Sequence, residues 1–392
     1  MRILYLADTY RPARTACANR TAVLVEALCK AGHDVQVLAS TDSLLDASKD
    51  CGQPVRVKFF ETFPLVEKTL VNRLRNNFGG AREAVRVAGE LGDFDVVVCT
   101  TPPLLLTSSA VRIAKRKRAK LVLDVRDIWP DVAYEMGTFT PGSFYGKFFE
   151  LVARRAYVAA DLVVTVSLGK VEKLKRLVPG GRVILVPNGI DESFLDNEED
   201  AELIERFRLN DGPICSYVGN IGLAQGLGTL LDIAEVRPDV RFLLFGKGAD
   251  RARLEKRVAE ECIGNVEFFE AVDARGVSTV LRHADISYVP LVSSRLRDSI
   301  PTKMYEALAC GCPVLLAAEG DAVDLLEECG LGAHAAPEDP KALLKAFDRL
   351  MEHPLSGKRR KATSEWVIEN HSRQRFAELF AEEIGKLEGQ HA

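Results

Sequence analysis

Apolar positions fall in short, nearly continuous runs separated by longer stretches of helical periodicity. Ile3 to Ala7, Val35 to Ala39, Val96 to Cys99, Leu121 to Val125, Leu162 to Val166 and Val183 to Val186 read as strands. Runs without polar alternation suit parallel strands covered on both faces. Between them, Asn19 to Ala31, stopped by Gly32, and Ser143 to Ala159 carry helical patterns. This alternation predicts one doubly wound α/β unit.

The rhythm restarts after Val186-Pro-Asn-Gly-Ile-Asp-Glu192, a turn-rich segment followed by an acidic stretch from Asp196 to Asp200. Ile214 to Val218, Arg241 to Phe245, Val266 to Phe268, Ile286 to Val289 and Pro313 to Leu316 supply a second set of strands. Helical patterns over Pro340 to His353, Lys358 to Asn370 and Ser372 to Leu387 close the chain. The expected architecture is α/β: two Rossmann-like, doubly wound parallel-sheet domains with an interdomain cleft. Residues 1–190 form the first domain and 191–370 the second, and a crossing helix in 371–392 returns to the first. In such sheets the loops at the carboxyl ends of the strands hold the ligand.

A length of 392 residues fits two ordinary domains. Nine cysteines lack metal-type spacing, and their apolar neighbours indicate reduced thiols in a cytoplasmic protein. No signal-type opening and no apolar run of transmembrane length is present, so a soluble or peripheral protein is expected. The net charge of −4 hides an asymmetry: residues 1–190 carry 28 basic and 19 acidic side chains, and the remainder 24 and 37. Two basic stretches concentrate the excess: Arg112, Lys115, Arg116, Lys117, Arg118 and Lys120, and Lys68, Arg73, Arg75, Arg82 and Arg86. With Phe59, Phe60, Phe63 and Leu65 upstream, the second would rest on an anionic lipid surface. Cations placed to suit a helix dipole are the simpler reading of the first. Nothing resembles a nucleic-acid recognition motif.

The most informative segment is Ser299-Ile-Pro-Thr-Lys-Met-Tyr-Glu-Ala-Leu-Ala-Cys-Gly-Cys-Pro-Val-Leu-Leu316. Pro301 suits a helix start. The free amides around Thr302 and Lys303 would make an anion pocket, reinforced by the lysine charge. Glu306 lies one turn on, where a carboxylate can accept both hydroxyl protons of a ribose, and Asp298 adds a second acceptor. A capped amphipathic helix without a ligand is the plain alternative. After one strand comes Gly219-Asn-Ile-Gly-Leu-Ala-Gln-Gly226, where Asn220 and Gln225 would donate to phosphate beside Gly219 and Gly226. A tight structural turn is the alternative there. After the next strand, Lys247 and Arg251 would neutralise a diphosphate. In the first half, Asp124-Val-Arg-Asp-Ile-Trp-Pro130 clusters Arg126, Asp127 and Trp129, with Trp129 available to stack on a sugar and Arg126 and Asp127 available to pair. The Thr9 to Arg20 loop is rich in donors for a second substrate. No histidine set forms a metal site or a hydrolase triad.

These segments, in this order, resemble the retaining glycosyltransferases of family 4, with the GT-B architecture, and look most like the bacterial branch that builds surface polysaccharides with amino-sugar or deoxyamino-sugar donors. The resemblance implies that Glu306 binds the donor ribose and that Asp298 stands where an acidic residue, usually Glu, touches donor sugar hydroxyls. Asp127 matches a position near the reacting sugar. Many members carry an Arg and a Lys where this chain has Asn220 and Gln225, so Lys303, Arg251 and Lys247 would supply the missing charge.

The resulting expectation is a metal-independent, retaining hexosyltransferase. Its catalytic residues would be Asp127, Lys303, Asp298 and Arg251, and its donor-binding residues Gly219, Asn220, Gln225, Gly226, Lys247, Pro301, Thr302 and Glu306. It would use a UDP-sugar, with no further cofactor, and a lipid-linked or glycan acceptor. It would sit in the cytoplasm, peripheral to the membrane. A UDP-sugar 2-epimerase on the same architecture and a non-catalytic sugar-nucleotide sensor are the rival readings.

Overall fold

A computed structural model describes residues 1–13, 15–44, 55–62, 70–337 and 339–388. The chain divides into two compact units, Met1–Asn188 with Gln374–Ala392, and Gly189–Arg373. Among the described residues the first unit holds strands β1 (Arg2–Ala7), β2 (Asp34–Ser40), β3 (Arg56–Phe60), β4 (Val96–Thr101), β5 (Lys120–Val125), β6 (Leu162–Thr165) and β7 (Val183–Leu185). They form one sheet, ordered β3-β2-β1-β4-β5-β6-β7, and every pairing is parallel. The second holds β8 (Ile214–Val218), β9 (Arg241–Phe245), β10 (Val266–Phe269), β11 (Ile286–Pro290), β12 (Val314–Ala317) and β13 (Gly332–Ala335). Their order is β10-β9-β8-β11-β12-β13, again parallel. Both sheets are Rossmann-like. Strand order reverses between β1 and β4 in one and between β8 and β11 in the other, which marks the crevice of each.

Each sheet is buried on both faces by alternation along its strands. In β1, Leu4 and Leu6 enter one core, while Ile3, Tyr5 and Ala7 enter the other. The closing helix Arg373–Gly385 supplies Ala377, Phe380, Ala381 and Ile384 to the second of these cores. An ion pair between Arg182 and Glu383 fastens it there.

Two strands escaped the sequence reading, and both are edges. β3 alternates charge with apolar residues, and β13 consists of small residues around His334. Edge strands need no continuous apolar run, because one side is unpaired. Placing β3 also corrects the lipid-facing reading of Phe59 and Phe60: they are strand residues packed in the first unit, Phe60 being fully buried. Phe63, Leu65 and Lys68, and the Arg73 side chain, lie outside the described residues. The first helix begins at Ala16, ahead of Asn19, because the Thr15 hydroxyl caps it by accepting from the Ala18 amide at 3.1 Å.

Trp129 is half-buried and packs against the core of the first unit. It meets Phe139 and Phe149 edge-on, at centroid distances of 6.4 and 6.1 Å. Arg126 and Asp127 do not pair either: the guanidinium donates to Thr100 Oγ1 at 3.2 Å and the Pro102 carbonyl at 2.9 Å. Of the 112–120 cluster, Lys117 donates to the Leu91 carbonyl and Lys120 binds Asp161, so these two are structural.

Candidate active site

In the second unit the exits of β8 and β9 are zipped together. The Gly219 amide donates to the Phe245 carbonyl at 2.9 Å and the Ile221 amide to the Lys247 carbonyl at 2.8 Å. A Cβ on Gly246 would stand 1.8 Å from the Gly219 carbonyl oxygen, and one on Gly248 would stand 2.0 Å from that of Ile221. Glycine here therefore serves the approach of one loop to the other. Gly226, at φ +60°, ends the short turn Leu223–Gln225 and leads to the helix Gly228–Val236.

Beyond β11 the helix Thr302–Ala309 starts behind Pro301. The Thr302 and Lys303 amides donate to no group among the described residues, as the first turn of a helix requires. The Lys303 ammonium donates to the Tyr217 hydroxyl at 2.9 Å and to Gln225 Oε1 at 3.2 Å, and lies 4.4 Å from the Tyr217 ring centre. Burial pulls its pKa down to about 8, an effect that Glu306 partly offsets. Burial likewise raises Glu306 above the ordinary glutamate range, with Arg373 and then Lys303 favouring its charged form. Asp298 is buried just ahead of the helix.

The structure thus gathers Lys303, Gln225, Gly219 and the helix start carrying Thr302 and Glu306. It assigns other work to the two β9-loop cations. Arg251 donates to the carbonyls of Gly246 and Phe269, at 2.9 and 3.0 Å, and to Glu255, so it braces the loop. Lys247 pairs with Glu270 at 3.1 Å on the surface. The Asn220 side chain is exposed, while its carbonyl accepts from Tyr217 at 2.6 Å.

The first unit offers a second group at its own switch point. Asp8 follows β1, and its carboxyl is pushed up to about 6 by burial and by Asp42, against the pull of Arg126. Asp127 follows β5 and makes no hydrogen bond or ion pair among the described residues. Tyr217 and Asp8 were missed from sequence. Tyr217 reads as one more strand aromatic, but Asp8 carried a usable signal, since it is the first polar residue after β1.

Two family models account for most of the chain. Residues 15–189 match the glycosyl transferase 4-like domain, and residues 199–368 match glycosyl transferases group 1. WcaI of Escherichia coli (strain K12), whose name assigns it to colanic acid biosynthesis as a glycosyl transferase, is 24% identical over 380 residues, covering 90% of this chain and 93% of that protein. WbjE of Pseudomonas aeruginosa, named as a glycosyltransferase, is 25% identical over 67% of each chain. Among solved structures, sucrose-phosphate synthase from Thermosynechococcus elongatus superposes with a TM-score of 0.79 at 20% identity, covering 100% of this chain and 99% of that one. Alr3699/HepE from Anabaena, solved with UDP, gives 0.74 at 16% identity, covering 98% of this chain and 100% of that one. With a 4-like domain followed by a group 1 domain on two Rossmann-like sheets, the chain belongs to the GT-B glycosyltransferases.

Proposed function

We propose that the protein moves a hexose or an N-acetylated (deoxy)amino sugar from a UDP-sugar to a lipid-linked or glycan acceptor, in cell-surface polysaccharide synthesis. The observation that carries this reading is the Lys303 ammonium, held beside the Gly219 turn at the head of the helix bearing Glu306. A cation and two free amides suit a diphosphate, and a carboxylate one turn on suits the two hydroxyls of a ribose. The complexes of HepE with UDP and UDP-glucose support a uridine donor, and the name of WcaI supports a polysaccharide product.

Transfer is metal-independent and retains the anomeric configuration. The acceptor oxygen bonds to the anomeric carbon on the face that the diphosphate leaves. The electron pair of the broken bond passes to the leaving phosphate oxygen, which takes the acceptor hydroxyl proton. Lys303 and the helix amides stabilise the charge growing there. Asp298 accepts from donor hydroxyls, and Asp127 acts near the reacting sugar.

The protein works at the cytoplasmic surface of a membrane. No helix among the described residues is long and apolar enough to cross one. Arg75, Arg82, Arg86, Arg112 and Arg116 line a groove of about 990 Å³ together with Phe78. Phe78 meets Phe148 at 6.1 Å, on the helix that also exposes Phe144 and Tyr145. Cations beside exposed aromatics suit anionic headgroups.

Calorimetry with UDP tests the donor site. Glu306→Gln should weaken binding by about 2–4 kcal/mol through loss of a charged acceptor, and an unchanged affinity would remove Glu306 from the ribose site. NMR of the product formed from UDP-glucose distinguishes transfer with retention from epimerisation, which yields a new UDP-sugar without an acceptor.

A further inference from the structure

An ammonium has three N–H donors and no acceptor. Lys303 gives two of them to neutral oxygens, Tyr217 Oη and Gln225 Oε1, and among the described residues no carboxylate lies within ion-pair distance. A cation largely withdrawn from water normally sits against an anion, which cancels its charge. Hydroxyl and amide oxygens and a ring face stabilise the cation and leave its charge uncancelled.

The hosts are themselves fixed. Tyr217 is fully buried on β8, and its hydroxyl donates to the Asn220 carbonyl at 2.6 Å. With that proton committed, a lone pair is what the hydroxyl offers to Lys303. Lysine can only donate, so Gln225 must turn its oxygen inward, which reverses the donor role expected from its sequence. A Cβ on Gly219 would stand 3.4 Å from the ammonium, in ordinary contact with it, while φ +145° disfavours any side chain there.

We propose that Tyr217 and Gln225 are positioning residues that hold Lys303 as an uncancelled cation for the diphosphate of a sugar nucleotide. This rests on the proposed donor site and deepens it, by moving the positive charge from the glycine loop to the helix and giving the loop the task of holding it. Besides Tyr217, whose phenol burial keeps protonated, the titratable group facing Lys303 is Glu306. Loss of either neutral acceptor destabilises the ammonium relative to the free amine, so the pH at which the site loses its charge moves down.

The test is calorimetric titration of the full chain with UDP between pH 6.5 and 9.5. Wild-type affinity should fall as pH rises through about 8. Tyr217→Phe keeps the ring and removes the acceptor. It should raise the Kd about tenfold at neutral pH and shift the midpoint of the pH profile down. Gln225→Ala should shift it the same way and does not disturb the core, so it serves if Tyr217→Phe misfolds. Lys303→Met should abolish the pH dependence in this range. Variants that weaken UDP at every pH while keeping the wild-type midpoint are merely structural, and that result overturns the assignment while leaving the donor site standing. A wild-type chain that binds none of UDP, GDP and ADP overturns the proposed function, and this assignment with it.

Discussion

Arg20 and Asp124 form an ion pair closed to solvent, with 5% and 0% of their side-chain surfaces exposed and an Nη2–Oδ1 distance of 2.8 Å. The same guanidinium donates to the Pro187 carbonyl at 3.2 Å and to Asn188 Oδ1 at 3.3 Å, so it also holds the last residues of the first unit before the chain leaves it. Asp124→Ala would strand a buried cation and should cost the first unit about 3–5 kcal/mol, whereas an apolar Arg20→Met/Asp124→Leu pair should cost much less. Trp129 and Trp366 are the chain's only tryptophans, one in each unit. Urea unfolding followed by Trp129 fluorescence in a Trp366→Phe background therefore reads the first unit. Equal losses in the single and double variants would reject the ion-pair account.

Gly246 tests whether the glycine turns serve the loops or only the ligand. At φ +152°, with the Gly219 carbonyl in the way of a Cβ, Gly246→Ala combines backbone strain with a main-chain clash. The second unit should lose at least ~2 kcal/mol, read by Trp366 fluorescence without ligand. A glycine needed only for phosphate would leave ligand-free stability unchanged and affect UDP binding alone.

Asp8 should reveal itself through pH. Its folded-state carboxyl titrates near 6, above the ordinary aspartate value of 3.8, so the folded chain retains a proton that the unfolded chain releases between these values. Stability is then lost as pH rises through that window, and the wild type carries the cost of the ionised carboxylate at neutral pH. Asp8→Asn should be more stable than wild type by about 1–2 kcal/mol at pH 7.5, with the gap narrowing towards pH 4.5. A pH-independent difference would show that Asp8 is not the group responsible.

The arginine groove predicts a lipid-dependent effect. Arg112 and Arg116 are exposed, and among the described residues neither has an ion-pair partner. Each cation near an anionic bilayer contributes about 1 kcal/mol. The double reversal Arg112→Glu/Arg116→Glu should therefore abolish co-sedimentation with phosphatidylglycerol vesicles while leaving UDP affinity intact. Retained vesicle binding would exclude this groove as the docking face.

The buried parallel strands could be read directly, because two-sided burial writes itself as unbroken apolar runs. β3 and β13 lacked that signature, since an edge can be charged or small. The helix start at Thr302, with Lys303 and Glu306 in its first turns, was legible because helix starts have strong local rules. The partners of Lys303 were not: Tyr217 lies 86 positions away and Gln225 78, and only the β8–β11 neighbourhood of the fold brings them near. Arg251 shows the converse limit. Its charge and its glycine context pointed to a ligand, but nearby carbonyl oxygens claimed its donors first.

The Ile190 amide donates to the His371 carbonyl and the Arg373 amide to the Ile190 carbonyl, both at 2.8 Å, with Ser372 Oγ bonded to Glu192. Where the polypeptide enters the second unit and where it departs are thus adjacent segments joined by an isolated parallel bridge. Residues 189–373 are built as a removable cassette, with head and tail stitched together. Such a piece can be expressed by itself, or exchanged for that of a relative, without reopening its own core.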